Sequence, residues 1–81
     1  MKYALIIEAG ERNYSAYVPD LPGCIATGDT VEEVIELMCE ALALHFEATA
    51  EAGEPIPAPM TRVAMVDVPD AAEVHRRYAT A

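Results

Sequence analysis

Between Arg12 and Arg62 the 81-residue sequence contains no lysine or arginine. The carboxylates of that stretch, Asp20, Asp29, Glu32, Glu33, Glu36, Glu40, Glu47, Glu51 and Glu54, match the whole net charge of −9. A surface of that sign repels phosphate backbones and steers basic partners toward it, so direct binding of nucleic acid is not expected. Such acids also keep a small apolar domain in solution.

Long hydrophobic runs are missing as well. The longest apolar stretch, Leu37 to Ala50, is broken by Glu40, His45 and Glu47, and falls short of the roughly 18 residues that a membrane-spanning helix needs. The N-terminus enters a strand pattern without the apolar core and cleavage site of a secretory leader. No membrane association is expected, and the cytoplasm is the default compartment. Cys24 and Cys39 show no C-x-x-C spacing, which signals neither a disulfide scaffold nor a zinc knuckle. Both read as small buried hydrophobes.

What is present is apolar: 53% hydrophobic against 23% charged residues. That composition is too hydrophobic for a disordered chain. One core is all that a chain of this length builds, so residues 1–81 read as a single domain. A domain so small gains burial by self-association, and a homo-oligomer is expected.

Lys2 to Glu8 reads as a strand, with Tyr3, Leu5 and Ile7 on one face and Ala4 and Ile6 on the other. Gly10 to Asn13 supplies turn residues for a hairpin into Tyr14 to Val18. Pro19, Asp20, Leu21, Pro22 and Gly23 interrupt regular structure, after which Cys24 to Thr27 forms a third strand. Thr30 followed by Glu33 is a capping box, so a helix should begin at Val31. On a helical wheel Val31, Val34, Ile35, Met38, Leu42, His45, Phe46 and Thr49 share a stripe that should pack on the sheet. Glu32, Glu36, Glu40, Glu47 and Glu51 lie opposite. Gly53 and the prolines at 55, 57 and 59 end the helix. Arg62 to Val68 alternates Val63 and Met65 with Ala64, Val66 and Val68, and reads as a fourth strand. Asp70 then caps a short helix from Ala71 to about Tyr78. The resulting fold class is α+β, ordered β-β-β-α-β with a final short α, a mainly antiparallel sheet with one long helix on one face.

Chemistry is hard to assemble from these residues. Cys39 and His45 point about 120° apart on the same helix and cannot share an ion. His45 reads as a core histidine and His75 as a residue at a helix C-terminus. Ser15 and Cys24 have no base beside them in sequence, and there is no glycine-rich phosphate loop. No catalytic residue, metal or cofactor is therefore expected. Glu8, Glu40 and Asp67 could meet at one edge as a degenerate metal-dependent nuclease site. A further alternative is a stand-alone regulatory or small-ligand module whose oligomer interface forms a pocket near Tyr14, Tyr17 and Cys24.

The stretch Val18-Pro-Asp-Leu-Pro-Gly-Cys24, followed by Gly28-Asp29-Thr30 and Glu32-Glu33, resembles the signature of the HicB family of bacterial antitoxins. The likeness runs from about Lys2 to Pro59, including the exit Gly53-Glu54-Pro55. It implies a partial RNase H-like fold without the nuclease carboxylates. It also implies a partner, a HicA-type toxin: a small basic ribonuclease that cleaves messenger RNA and whose active surface the antitoxin covers. Many members carry a C-terminal helix-turn-helix or ribbon-helix-helix segment. Only about a dozen residues follow Val68 here, so promoter binding is not carried over. Partner contacts are expected from the loop residues Asp20, Leu21 and Pro22 and from Glu32, Glu36 and Glu40. The strip Leu37, Ala41, Leu44 and Ala48, the sheet edge or the second sheet face is expected at an oligomer contact, in a dimer or a tetramer of dimers. Both sheet faces carry apolar residues while one helix covers only one of them, so something else must shield the second.

Overall fold

The computed structural model describes residues 1–79. Three short strands, β1 (Ile6–Ala9), β2 (Tyr14–Tyr17) and β3 (Ile25–Gly28), form an antiparallel sheet in the order β1-β2-β3. Alternation places Ile7, Ala16 and Ala26 on the face that receives the long helix α1 (Val31–Glu51). Ala16, Val18, Leu21, Cys24, Val34 and Met38 make up the buried core, and Tyr3, Leu5, Ile7, Tyr14, Ala26, Leu42 and Phe46 pack around it. The fold is α+β, as the periodicities indicate.

α1 begins where the capping residues place it. The Thr30 hydroxyl accepts the Glu33 N–H at 3.0 Å. The Glu33 carboxylate reaches back one residue further than the usual box, accepting the Asp29 N–H at 3.2 Å. At the other end, Gly53 N–H donates to the Ala50 carbonyl and Glu54 N–H to that of Thr49, a Schellman closure. Gly23 sits at a φ of 88°, which only glycine adopts freely, and turns the chain between β2 and β3. Gly28 serves space instead of conformation: a Cβ there would lie 3.1 Å from the Val34 side chain, so its absence lets α1 close on β3.

Four sequence expectations are corrected. The fourth strand does not form: Arg62 to Val68 has no regular structure and joins no sheet among the described residues. β1 starts at Ile6, because Lys2 to Leu5 has no partner strand. His45 is exposed and Thr49 only half-buried. A 21-residue helix runs about 31 Å at 1.5 Å per residue, whereas four-residue strands span about 13 Å. The second half of α1 therefore overruns the sheet, and the helix buries only Val34 and Met38 completely. Cys39 is exposed, unlike Cys24.

Beyond the proline run, α2 (Ala71–Tyr78) is capped by Asp70, whose carboxylate accepts the Glu73 N–H at 2.8 Å. Glu73 pairs with Arg76 and with Arg77, the latter at 2.8 Å. α2 buries none of its residues. The radius of gyration is 18.1 Å and the long axis 62 Å, against about 12 Å of radius for a compact 81-residue chain. Residues 62–68 are exposed throughout and α2 buries nothing, so residues 62–78 stand outside the core as an arm.

Candidate partner interface

The acids singled out in sequence fall together. Glu32, Glu36 and Glu40 follow one another at four-residue spacing on the outer side of α1, joined there by Glu47 and Glu51, and all are exposed. Among the described residues the ion pairs are those of Glu73 with Arg76 and Arg77, so this face presents carboxylates without internal cations. The neighbouring strip of Leu37, Ala41, Leu44 and Ala48 is also exposed, Leu44 at 68%.

The loop between β2 and β3 divides. Pro22 is exposed, as expected of a contact residue. Leu21 is not available on the surface: it is 1% exposed, and its backbone closes the turn through Leu21 N–H to Val18 O and Cys24 N–H to Leu21 O. The Leu21 side chain turns into the core cluster with Val34 and Met38, which a loop motif read alone does not display.

Asp20 is also committed within the chain. Its carboxylate accepts the N–H of Met60 and of Thr61, both at 2.9 Å, and the Thr61 hydroxyl at 2.7 Å. The Thr61 N–H foremost, then the Thr61 hydroxyl and the Met60 N–H, hold the carboxyl below its ordinary 3.8. The charged form is the one that grips the chain. A depressed folded pKa gives a contribution that is complete above the ordinary value and disappears as pH falls through the depressed one. The Thr61 amide resonance should therefore titrate with a midpoint below 3.8, and D20A should abolish that step. Tyr3 acts at the same root, its hydroxyl donating to the Pro57 carbonyl while its ring lies 5.6 Å from that of Phe46. Nothing in the spacing of Asp20 and Thr61 announces this pairing, which spans 41 positions.

A cleft of about 470 Å3 opens between the N-terminal segment and α1, lined by Met1, Tyr3, Leu5, Ile35, Met38 and Phe46 among others. Strand alternation puts Tyr14 on the helix-facing side and Tyr17 on the open side, while Cys24 is buried. On the open face Ile6, Tyr17 and Ile25 stand opposite one another across the three strands. Among the described residues no three His, Cys, Asp or Glu side chains are placed to hold a metal ion, so Glu8, Glu40 and Asp67 do not converge. No described helix is long and apolar enough to cross a membrane.

Comparison with known proteins adds the relatives of this arrangement. A family model described as "HicB_like antitoxin of bacterial toxin-antitoxin system" matches residues 3–78. An uncharacterised 14.9 kDa protein of Haemophilus phage HP1 is 39% identical over 57 residues, 70% of this chain and 43% of that protein. A UPF0150 protein of Synechocystis is 36% identical, covering 68% of this chain and 71% of its own length. Antitoxin HicB 2 of Photorhabdus laumondii is 34% identical over 85% of this chain and 50% of its own. The chain thus spans half or less of the phage and Photorhabdus proteins. No solved structure matches it.

Proposed function

The chain belongs to the HicB-like antitoxin family, and from that premise we propose that it binds and neutralises a small basic HicA-type toxin that cleaves messenger RNA. The family is one of antitoxins, not enzymes. In this reading the protein works in the cytoplasm as a homo-oligomer and occludes the toxin's active and RNA-binding surface without any cofactor.

The observation that carries the reading is the outer face of α1. Glu32, Glu36, Glu40, Glu47 and Glu51 are exposed and carry no internal ion pairs among the described residues. An RNA-cleaving partner must itself present a cationic surface to phosphates, and an array of carboxylates competes for the same surface. Pro22 is exposed and stays in the contact set, while the strip Leu37, Ala41, Leu44 and Ala48 beside the acids remains for contact between copies. Leu21 drops out of the contact set because it is buried, and Asp20 is occupied by Met60 and Thr61.

The test is a titration of a HicA-type toxin, encoded beside this chain, with the purified protein while cleavage of messenger RNA is followed. Stoichiometric loss of cleavage is the expected result. Full cleavage at an excess of this protein would sink the proposal.

A further inference from the structure

Among the described residues nothing covers the arm that follows Thr61. Met65 is 93% and Val66 78% exposed, and Val63, Val68 and Tyr78 are exposed as well. The arm's strand pattern is apolar on both faces, Val63 and Met65 on one and Ala64, Val66 and Val68 on the other. A strand that is apolar on both sides belongs inside a layered structure, where its backbone groups are also paired.

The body offers a seat of that kind. β1 is an edge strand with one side unpaired, a template for a further strand. α1 packs against β2 and β3, and an apolar cleft of Leu5, Ile35, Met38, Leu42 and Phe46 opens between α1 and the segment that leads into β1. A strand added to β1 would turn one set of side chains into the cleft and the other onto the open face beside Ile6.

The arm of the same chain does not take this seat. Its root is tied down by Asp20 and Tyr3, and beyond Thr61 residues 62–68 stay exposed and outside the sheet. We propose that residues 62–78 dock on the β1 edge and cleft of a second copy, which returns its own arm. The sheet then gains its fourth strand from a partner.

Two further observations fit a second copy. The arm is electrically neutral, with Arg62, Arg76 and Arg77 against Asp67, Asp70 and Glu73, so inserting it adds no charge to an acidic body. An arm of this length, exchanged in both directions with its apolar side chains, is of the size needed for a standard interface of about 800 Å2 per partner. Exchange of an identical element closes a two-fold dimer.

The inference rests on the homo-oligomer reading and specifies its contact. Sedimentation equilibrium at micromolar concentration should give twice the chain mass of 8.7 kDa for the natural sequence. M65K/V66K should fall to the single-chain mass with its helical circular dichroism kept, since both side chains are exposed in the protomer. I25K, on the open face of the far strand β3, should stay dimeric. In hydrogen exchange the outward amides of β1 should be protected in the natural dimer, a readout independent of any variant. A natural chain at single mass would overturn both the oligomer reading and the arm exchange, whether or not a toxin later ordered the arm. A natural dimer that persists in M65K/V66K, or that leaves the outward β1 amides unprotected, would overturn the exchange alone. Loss of the dimer in I25K would point to stacking of open faces and would overturn it too.

Discussion

Replacing Leu21 by alanine should lower the stability of the protein by about 3 kcal/mol, within the range of roughly 2–5 kcal/mol for emptied leucine sites. The side chain is 1% exposed and, with Met38 and Val34, among the largest that are wholly enclosed. The surrounding loop has little freedom to collapse into the space. Its two turn hydrogen bonds and Gly23, at positive φ, fix the backbone on either side. Against the total of about 5–15 kcal/mol typical of natural domains, such a loss is large for so small a core. Urea unfolding followed by circular dichroism measures it as a drop in midpoint of about 2–3 M, taking a slope near the lower end for small proteins. The same variant separates core from interface. Under conditions where L21A remains folded it should inhibit a HicA-type toxin with unchanged affinity. A weakened complex from a fully folded L21A would return Leu21 to the partner contacts.

Reversing Glu36 and Glu40 together to lysine should slow association with a cationic toxin by at least about 10-fold at low ionic strength. Each exchange removes a negative charge and adds a positive one on a face where, among the described residues, no cation sits in an ion pair. The difference should shrink as salt rises, since charges are screened beyond about 8 Å at physiological ionic strength. Both side chains are exposed, and exposed substitutions away from special features cost about 0.5 kcal/mol or less. The unfolding midpoint of E36K/E40K should therefore stay close to that of the natural chain. Stopped-flow association at two salt concentrations makes the measurement. Equal rates for E36K/E40K and the natural protein would show that the acids serve solubility and not recognition.

The elements read correctly from sequence are those whose signals are local. Thr30 and Glu33 start α1 as expected, Gly53 and the prolines stop it, and Asp70 caps α2. The hairpin and the loop at Gly23 follow from turn chemistry of the same short range. The misreadings share a different cause. Wheel geometry placed His45 in the packed stripe, but whether that stripe is covered depends on how far the sheet extends beneath it. Cys39 and Leu21 exchanged expected environments for the same reason: burial belongs to the neighbours and not to the residue. The acids of α1 were legible because an outward charged face needs no partner within the chain.

The sequence by itself determined the α+β class, the position and ends of both helices, the hairpin and the one-sided charge. Each depends on interactions within a few residues, on composition, or on periodicity along one element. Only the tertiary structure decided that Asp20 is spent on holding Thr61, that Leu21 fills the core, and that Arg62 to Val68 finds no strand beside it among the described residues. Pairing of distant segments depends on chain path and on which edge is left open, and alternation of side chains carries no address for its partner.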